Sequence, residues 1–240
     1  MKAKFFTLIS IFMVTMICAQ TPLDKFTKWR SPDGRNIDVI YVNRTGNVPQ
    51  IPNSKTIGSP YVDEEFKPSS LYNDDASFTI SMFARYNVMD NVIEIKNALA
   101  DNDSLIKLLN KTPDLYVKID THVFDFVPFS GKTEDGVYFE VLFRGNAIDL
   151  YKKHTKKFIQ GKIARSSFEV DFPERFIDEN NYFFVTKEGN LIELPDTHNK
   201  IRNAIPYKNP VLDKYIKQNK LELKEEKDLI KMMTFLDSLL

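Results

Sequence analysis

Between Gly58 and Pro195 the chain alternates apolar and polar residues with period two, and this restricts the fold more than any other feature of the sequence. Val137, Phe139, Val141 and Phe143 form the cleanest stripe, with Glu140 and Arg144 on the opposite face. Shorter stripes are Phe78, Ile80 and Met82, then Ile93 and Ile95, then Leu115, Val117 and Ile119. From Val123 to Val127 the residues Val123, Asp125 and Val127 alternate with Phe124 and Phe126, a strand buried on both faces. Successive side chains of a strand point to opposite faces, so this period predicts half-buried antiparallel strands. Gly-containing loops at Arg144-Gly145-Asn146 and Lys187-Glu188-Gly189-Asn190 join neighbouring runs as hairpins. The expected fold is α+β, mainly antiparallel β: a sandwich or strongly bent barrel-like sheet of about nine strands.

Two parts of the chain depart from this period. Asp103 to Asn110 reads as a helix interrupting the sheet, capped by Asp103 or Ser104 and packed through Leu105, Ile106, Leu108 and Leu109. After Pro195 the spacing becomes helical. Asn209-Pro210 is a helix start, and Val211, Leu212, Tyr215 and Ile216 share one face. Leu229, Met232, Met233, Leu236 and Leu240 share another, which predicts two amphipathic C-terminal helices. Residues 20–57 hold Pro22, Pro32, Pro49 and Pro52 around a single strand candidate, Ile37 to Val42. The predicted organisation is a signal peptide (1–19), an irregular N-terminal arm (20–57), an antiparallel β domain (58–195) and a helical segment packed on it (196–240).

The signal peptide follows from Lys2 and Lys4 ahead of the uncharged, mostly apolar run Phe5 to Ile17, with Cys18-Ala19-Gln20 after it. The run is too short for a comfortable membrane span of roughly 20 residues. Cleavage after Ala19 is expected to release a periplasmic or extracellular protein. Lipid anchoring through Cys18 is the less favoured alternative, because Ile17 stands where a lipobox has a small residue. Removal of Cys18 leaves no cysteine, which excludes disulfides, thiolate nucleophiles and cysteine-based metal sites from the mature chain. A mature length of about 220 residues is enough for one large core. Lys plus Arg and Asp plus Glu both number 33, so no global field draws the chain to nucleic acid or anionic lipid.

Gly58-Ser59-Pro60-Tyr61-Val62-Asp63-Glu64-Glu65-Phe66, the segment Ile80 to Lys96 containing Arg85-Tyr86-Asn87, Leu150-Tyr151-Lys152-Lys153, and Glu226-Lys227-Asp228-Leu229-Ile230-Lys231 carry a resemblance. Together they resemble a group of small uncharacterised exported proteins of environmental Gram-negative bacteria. The resemblance spans most of the mature chain. It implies an envelope or extracellular setting and one β-rich domain with a helical tail. The group has no known activity, so no residue role carries over.

The residues offer no ready-made chemistry. His122, His154 and His198 are the three histidines, and none lies within four residues of another, whereas a helical ligand pair needs i and i+4. The acidic groups Asp63-Glu64-Glu65, Asp74-Asp75, Glu134-Asp135 and Asp178-Glu179 lack the alternation of a calcium loop. Asp74-Asp75 and Glu134-Asp135 read as turn residues. Ser166 and Ser167 have no partner at a suggestive spacing, and no nucleophile elbow or phosphate loop is present. The basic run Lys152-Lys153-His154-Thr155-Lys156-Lys157-Phe158 reads as a solvated hairpin or edge strand, with contact to phosphate or lipid headgroups as the sharper alternative. No cofactor, metal site or catalytic residue is assigned, and no nucleic acid or integral membrane span is expected. The favoured function is a non-catalytic envelope or surface protein that binds an envelope or extracellular partner. A small-molecule or lipid carrier using a sheet cavity, and a hydrolase with dispersed carboxylate chemistry, are the alternatives.

Overall fold

A computed structural model describes residues 29–30, 36–37, 41–43, 56–73, 79–113, 115–129, 132–164, 169–207 and 210–240. Of residues 29–30, 36–37, 41–43, 129 and 132–135 it describes the backbone alone. The expected signal peptide, Asp74-Asp75, Ser166, Ser167 and the Asn209 cap lie outside these residues.

The fold is mainly antiparallel β with C-terminal helices. The strands are β1 (Trp29–Arg30), β2 (Asn36–Ile37), β3 (Tyr41–Asn43), β4 (Lys67–Asn73), β5 (Thr79–Asn87), β6 (Val92–Lys96), β7 (Lys107–Leu109) and β8 (Leu115–Ile119). They continue with β9 (His122–Phe129), β10 (Lys132–Arg144), β11 (Ile148–Lys153), β12 (Lys156–Ile159), β13 (Arg175–Asp178), β14 (Asn181–Thr186) and β15 (Leu191–Leu194). The helices are α1 (His198–Ala204), α2 (Pro210–Gln218) and α3 (Glu226–Asp237). Eleven strands form one sheet in the order β15-β14-β11-β10-β9-β8-β4-β5-β6-β7-β3, while β1-β2 and β12-β13 form two-stranded sheets.

One face of the large sheet carries two apolar cores side by side. The first packs Leu71, Ile80, Met82, Ala84, Tyr86, Ile93, Ile95, Leu115, Val117, Phe124, Phe126 and Tyr138. It forms because the sheet bends until the β5–β6 turn reaches β10. Asn91 of that turn donates to the Gly136 carbonyl at 2.8 Å and accepts from the Tyr86 hydroxyl at 3.1 Å. Asn91 holds φ at +52°, a conformation Asn adopts more readily than most residues. Gly136 permits the bend, because a Cβ there would collide with the Phe126 ring and the Val127 carbonyl. The second core packs Ile148, Leu150, Phe184 and Leu194 against Ile201, Leu212, Ile216, Leu229, Met232, Met233 and Leu236 of the helices.

Two anchors hold peripheral segments down. Arg85 pairs with the fully buried Glu94 at 2.8 Å, donates to the Glu64 carbonyl at 2.9 Å, and stacks over Tyr61 and Phe66 at 4.0 and 4.4 Å. This clamps the Gly58–Phe66 loop to the sheet. At the other end, Asp237 accepts from the backbone N–H groups of Asn146, Ala147 and Ile148 at 2.9, 2.7 and 3.1 Å. Burial pushes the Asp237 carboxyl up, but those N–H donors and Lys187 outweigh it and hold the group below its ordinary value.

Several expectations need correction. Asp103–Leu105 is one 3-10 turn, with the Asn102 side chain accepting from the Ser104 N–H, and the chain then enters strand β7. Ile106 and Leu109 are buried by pairing β7 along β6, and a short apolar run carries no periodicity that separates a strand from a helix. Glu134-Asp135 lies within β10 and not in a turn. Leu240 and Val211, expected on apolar helix faces, are 52% exposed each. The strand candidate Ile37 to Val42 is two short strands, β2 and β3. α1 adds a third helix, seven residues long, whose one buried side chain, Ile201, leaves no period to read.

Candidate functional site

The register of three adjacent strands builds one cluster of titratable side chains at the seam between the two cores. In β9–β10 the Cα partner of Glu140 is Phe124, and in β10–β11 it is Lys152. His122 lies two residues from Phe124, and His154 two residues from Lys152, so both imidazoles are diagonal neighbours of the carboxylate, one from each side. Diagonal positions on a sheet face are within reach of long side chains. His122 Nδ1 is 2.5 Å from Glu140 Oε1, and His154 Nε2 is 2.6 Å from Oε2. Lys152 Nζ stands 3.7 Å from Oε2 and bonds Glu226 of α3 at 2.8 Å. Tyr182 donates to the same Glu226 oxygen at 3.1 Å, extending the chain of polar contacts into the helical layer.

Local structure explains these placements. His122 follows the turn Asp120-Thr121, closed by the Ile119↔His122 pair with Asp120 at φ +52°, which leaves the ring at the rim and half exposed. His154 is buried, with its ring edge-on to Tyr86 at 6.4 Å and tilted against Phe124 at 5.9 Å. Glu140 is 5% exposed. Burial opposes its charge, but the His154 and His122 hydrogen bonds and the Lys152 charge prevail and draw its pKa down to about 2. An ionised carboxylate only accepts, so each imidazole donates the N–H it turns toward Glu140.

Glu140 thereby fixes the orientation of two imidazoles, the role a buried carboxylate plays toward histidine in acid–base sites. The cleft at His122, bordered by Asp63, Lys67 and Asp120, has a volume of only about 10 Å³, room for about one water. Among the described residues no group of three or more His, Asp or Glu is arranged to hold a metal ion. The imidazoles approach opposite oxygens of the carboxylate and flank it. Burial raises the Tyr86, Tyr138, Tyr151 and Tyr182 hydroxyls above the ordinary phenol value, which leaves them protonated at neutral pH.

The opposite face of the sheet carries the other notable surface. Phe139 is sealed between Phe183, edge-on at 5.2 Å, and Tyr151, at 6.0 Å, beside the buried Val185. Val127, Val137, Val141 and Leu191 surround them, half-buried. Arg144 lies over the Tyr116 ring at 4.5 Å and near Asp125, which accepts from the Tyr151 hydroxyl at 2.8 Å.

The sequence singled out His122 and His154 and left them unconnected; separations of 18 and 14 residues from Glu140 are bridged by strand pairing alone. His198 begins α1, apart from the cluster. Asp63-Glu64-Glu65 serves the loop, with Asp63 and Glu65 at 3.7 and 3.0 Å from Lys67. Asp178 and Glu179 pair with Lys156 and Lys157. The one available signal for the cluster is Glu140 itself, the single charge within the run Val137–Phe143. Among the described residues no helix is long and apolar enough to cross a membrane. Comparison with protein-family models, with curated proteins and with solved structures finds no match for this chain.

Proposed function

We propose that the mature chain is an exported, non-catalytic module that binds an envelope or extracellular protein through the sheet face centred on Phe139. The observation that carries this reading is the partly exposed apolar layer over the buried Phe139 and Tyr151: Val127, Val137, Val141, Phe183 and Leu191 are each half-buried, with the Arg144–Tyr116 stack at their rim. Aromatic residues and Arg are the side chains that dominate binding energy at protein interfaces. A carrier would need room inside the bend, where Tyr86, Phe124, Phe126 and Tyr138 instead pack ring against ring at 5.1–5.7 Å. The export signal read from the first 19 residues supplies the setting.

The test is a photo-crosslinking amino acid placed at Val141 or Phe183 in the exporting cell, with Lys157 on the β12–β13 arm as the control position. One discrete adduct shared by Val141 and Phe183 and missing at Lys157 is expected. Adducts no more frequent than at Lys157 would refute the docking face. Intact mass of the exported protein is expected to show loss of residues 1–19, and a retained N-terminus would refute the setting.

A further inference from the structure

The basic run Lys152–Lys157 is not a uniformly solvated face. Lys152 bonds Glu226 at 2.8 Å, Lys156 bonds Asp178 at 2.7 Å, and Lys157 stands 3.6 Å from Glu179. The Lys153 ammonium has no ion pair or hydrogen bond with any described side chain or backbone group, although its backbone pairs with β14. It lines an open groove of about 280 Å³ where the end of β11 passes the β5–β6 turn. One wall of this groove is Lys153, His154, Thr155 and Lys156; Val88 and Met89 belong to the other, and no carboxylate among the described residues lines it. Met89 is 49% exposed there.

Thr155 adds a hydroxyl donor to this groove, beside the Lys153 ammonium. The His154 ring forms part of the same wall and is held in place by its Nε2 contact with Glu140 at 2.6 Å. An anion in the groove would stand against the Lys153 ammonium and accept from the Thr155 hydroxyl. Charge-assisted hydrogen bonds of this kind are about twice as strong as neutral ones.

We propose that the groove formed by Lys153, His154 and Thr155 against Val88 and Met89 binds an oxyanion, a phosphate or carboxylate group carrying a small apolar portion. Lys153 supplies the charge, Thr155 supplies a hydroxyl donor, the fixed His154 ring forms the wall between them, and Val88 and Met89 cover the apolar portion. The site is separate from the face centred on Phe139 and stands whether or not that face docks a partner.

The experiment is an amide chemical-shift titration of the mature protein at low salt with inorganic phosphate, butyl phosphate and butyrate. Saturable shifts at Lys153, His154 and Thr155 are expected, with butyl phosphate binding more tightly than phosphate. Lys153→Ala should weaken binding at least fivefold, Lys153→Arg should restore most of it, and Lys157→Ala should leave it unchanged. Absence of saturable shifts with all three probes, or equal affinity in Lys153→Ala, would overturn the site. Co-sedimentation with phosphatidylglycerol vesicles separates the sources. Sedimentation that Lys153→Ala abolishes identifies a lipid headgroup, and anion binding without sedimentation identifies a soluble ligand. Thermal melts of each variant confirm that a lost shift is not lost folding.

Discussion

Glu140→Gln tests whether the seam is held by charge. Gln keeps the volume and one acceptor but turns an amide donor toward the second imidazole, leaving a buried donor facing a donor. In the native protein the Glu140 carboxyl titrates at about 2 against an ordinary 4.5. At about 1.4 kcal/mol per unit, the difference contributes on the order of 3 kcal/mol to stability at neutral pH. A lowered acid pKa stabilises above the unfolded value and loses that contribution as pH falls through the folded one, so the window runs from about pH 5 down to pH 2. Urea unfolding of both proteins at pH 7, 5, 4 and 3 reads it out. The gap should be about 3 kcal/mol at pH 7 and should close steadily below pH 5. The other carboxylates are common to both proteins and cancel in the difference. A gap that stays constant from pH 7 to pH 3 would refute the argument, since it would mean the Glu140 charge is not what the two histidines recognise.

Two more perturbations probe the helical layer. Leu236 is fully buried and Ser238 is exposed, so Leu236→Asp should cost about 3–5 kcal/mol and Ser238→Asp less than about 0.5, measured as melting temperatures; equal small shifts would mean α3 is not docked. Asp237→Ala strands three backbone N–H groups and should cost about 1–3 kcal/mol. Gly145→Ala should cost a similar amount by driving a Cβ into the Asp237 carboxylate, and the two changes together should cost little more than either alone. Full additivity in that cycle would show that Gly145 does not act through Asp237.

The elements were legible where a local period existed. Leu115, Val117 and Ile119 alternate and are all buried, and Leu229, Met232, Met233 and Leu236 follow the helical repeat and are all sealed. Segments shorter than a period were not, and the turn at Asp103 with β7 behind it is the example. The face assignment of β10 was half right. Val137, Phe139 and Val141 do share a face, but the face that Glu140 occupies is the one between the two cores, because the helices cover that side and bring their own apolar residues. The candidate site was least legible of all. Two of its residues come from adjacent strands, β9 and β10, and His154 follows directly on a third, β11, so their meeting depends on register, which is set by pairing across the whole sheet. Asp237 shows the same limit from the other direction. An acid in the last turn of a helix opposes the helix dipole, and only the tertiary contact with the β10–β11 turn accounts for it.

The pairing of β11 with β14 runs unbroken from Ile148↔Thr186 to Lys153↔Asn181, although the described residues between them, 154–164 and 169–180, lie outside that sheet. Topologically the two strands are an ordinary hairpin whose connecting loop has acquired its own two-stranded arm, β12–β13. Lengthening a loop is inexpensive, about 0.6 kcal/mol for each doubling, so the outer part of the arm can grow, shrink or be exchanged without moving the sheet by a residue. Two contacts set the inner limit of that freedom: His154 on Glu140, and the bridge from Arg175 to Ile57. Divergent descendants of this chain are therefore expected to differ most in length between residues 160 and 174, where evolution can rebuild a protruding surface while the sheet that carries it keeps the same register.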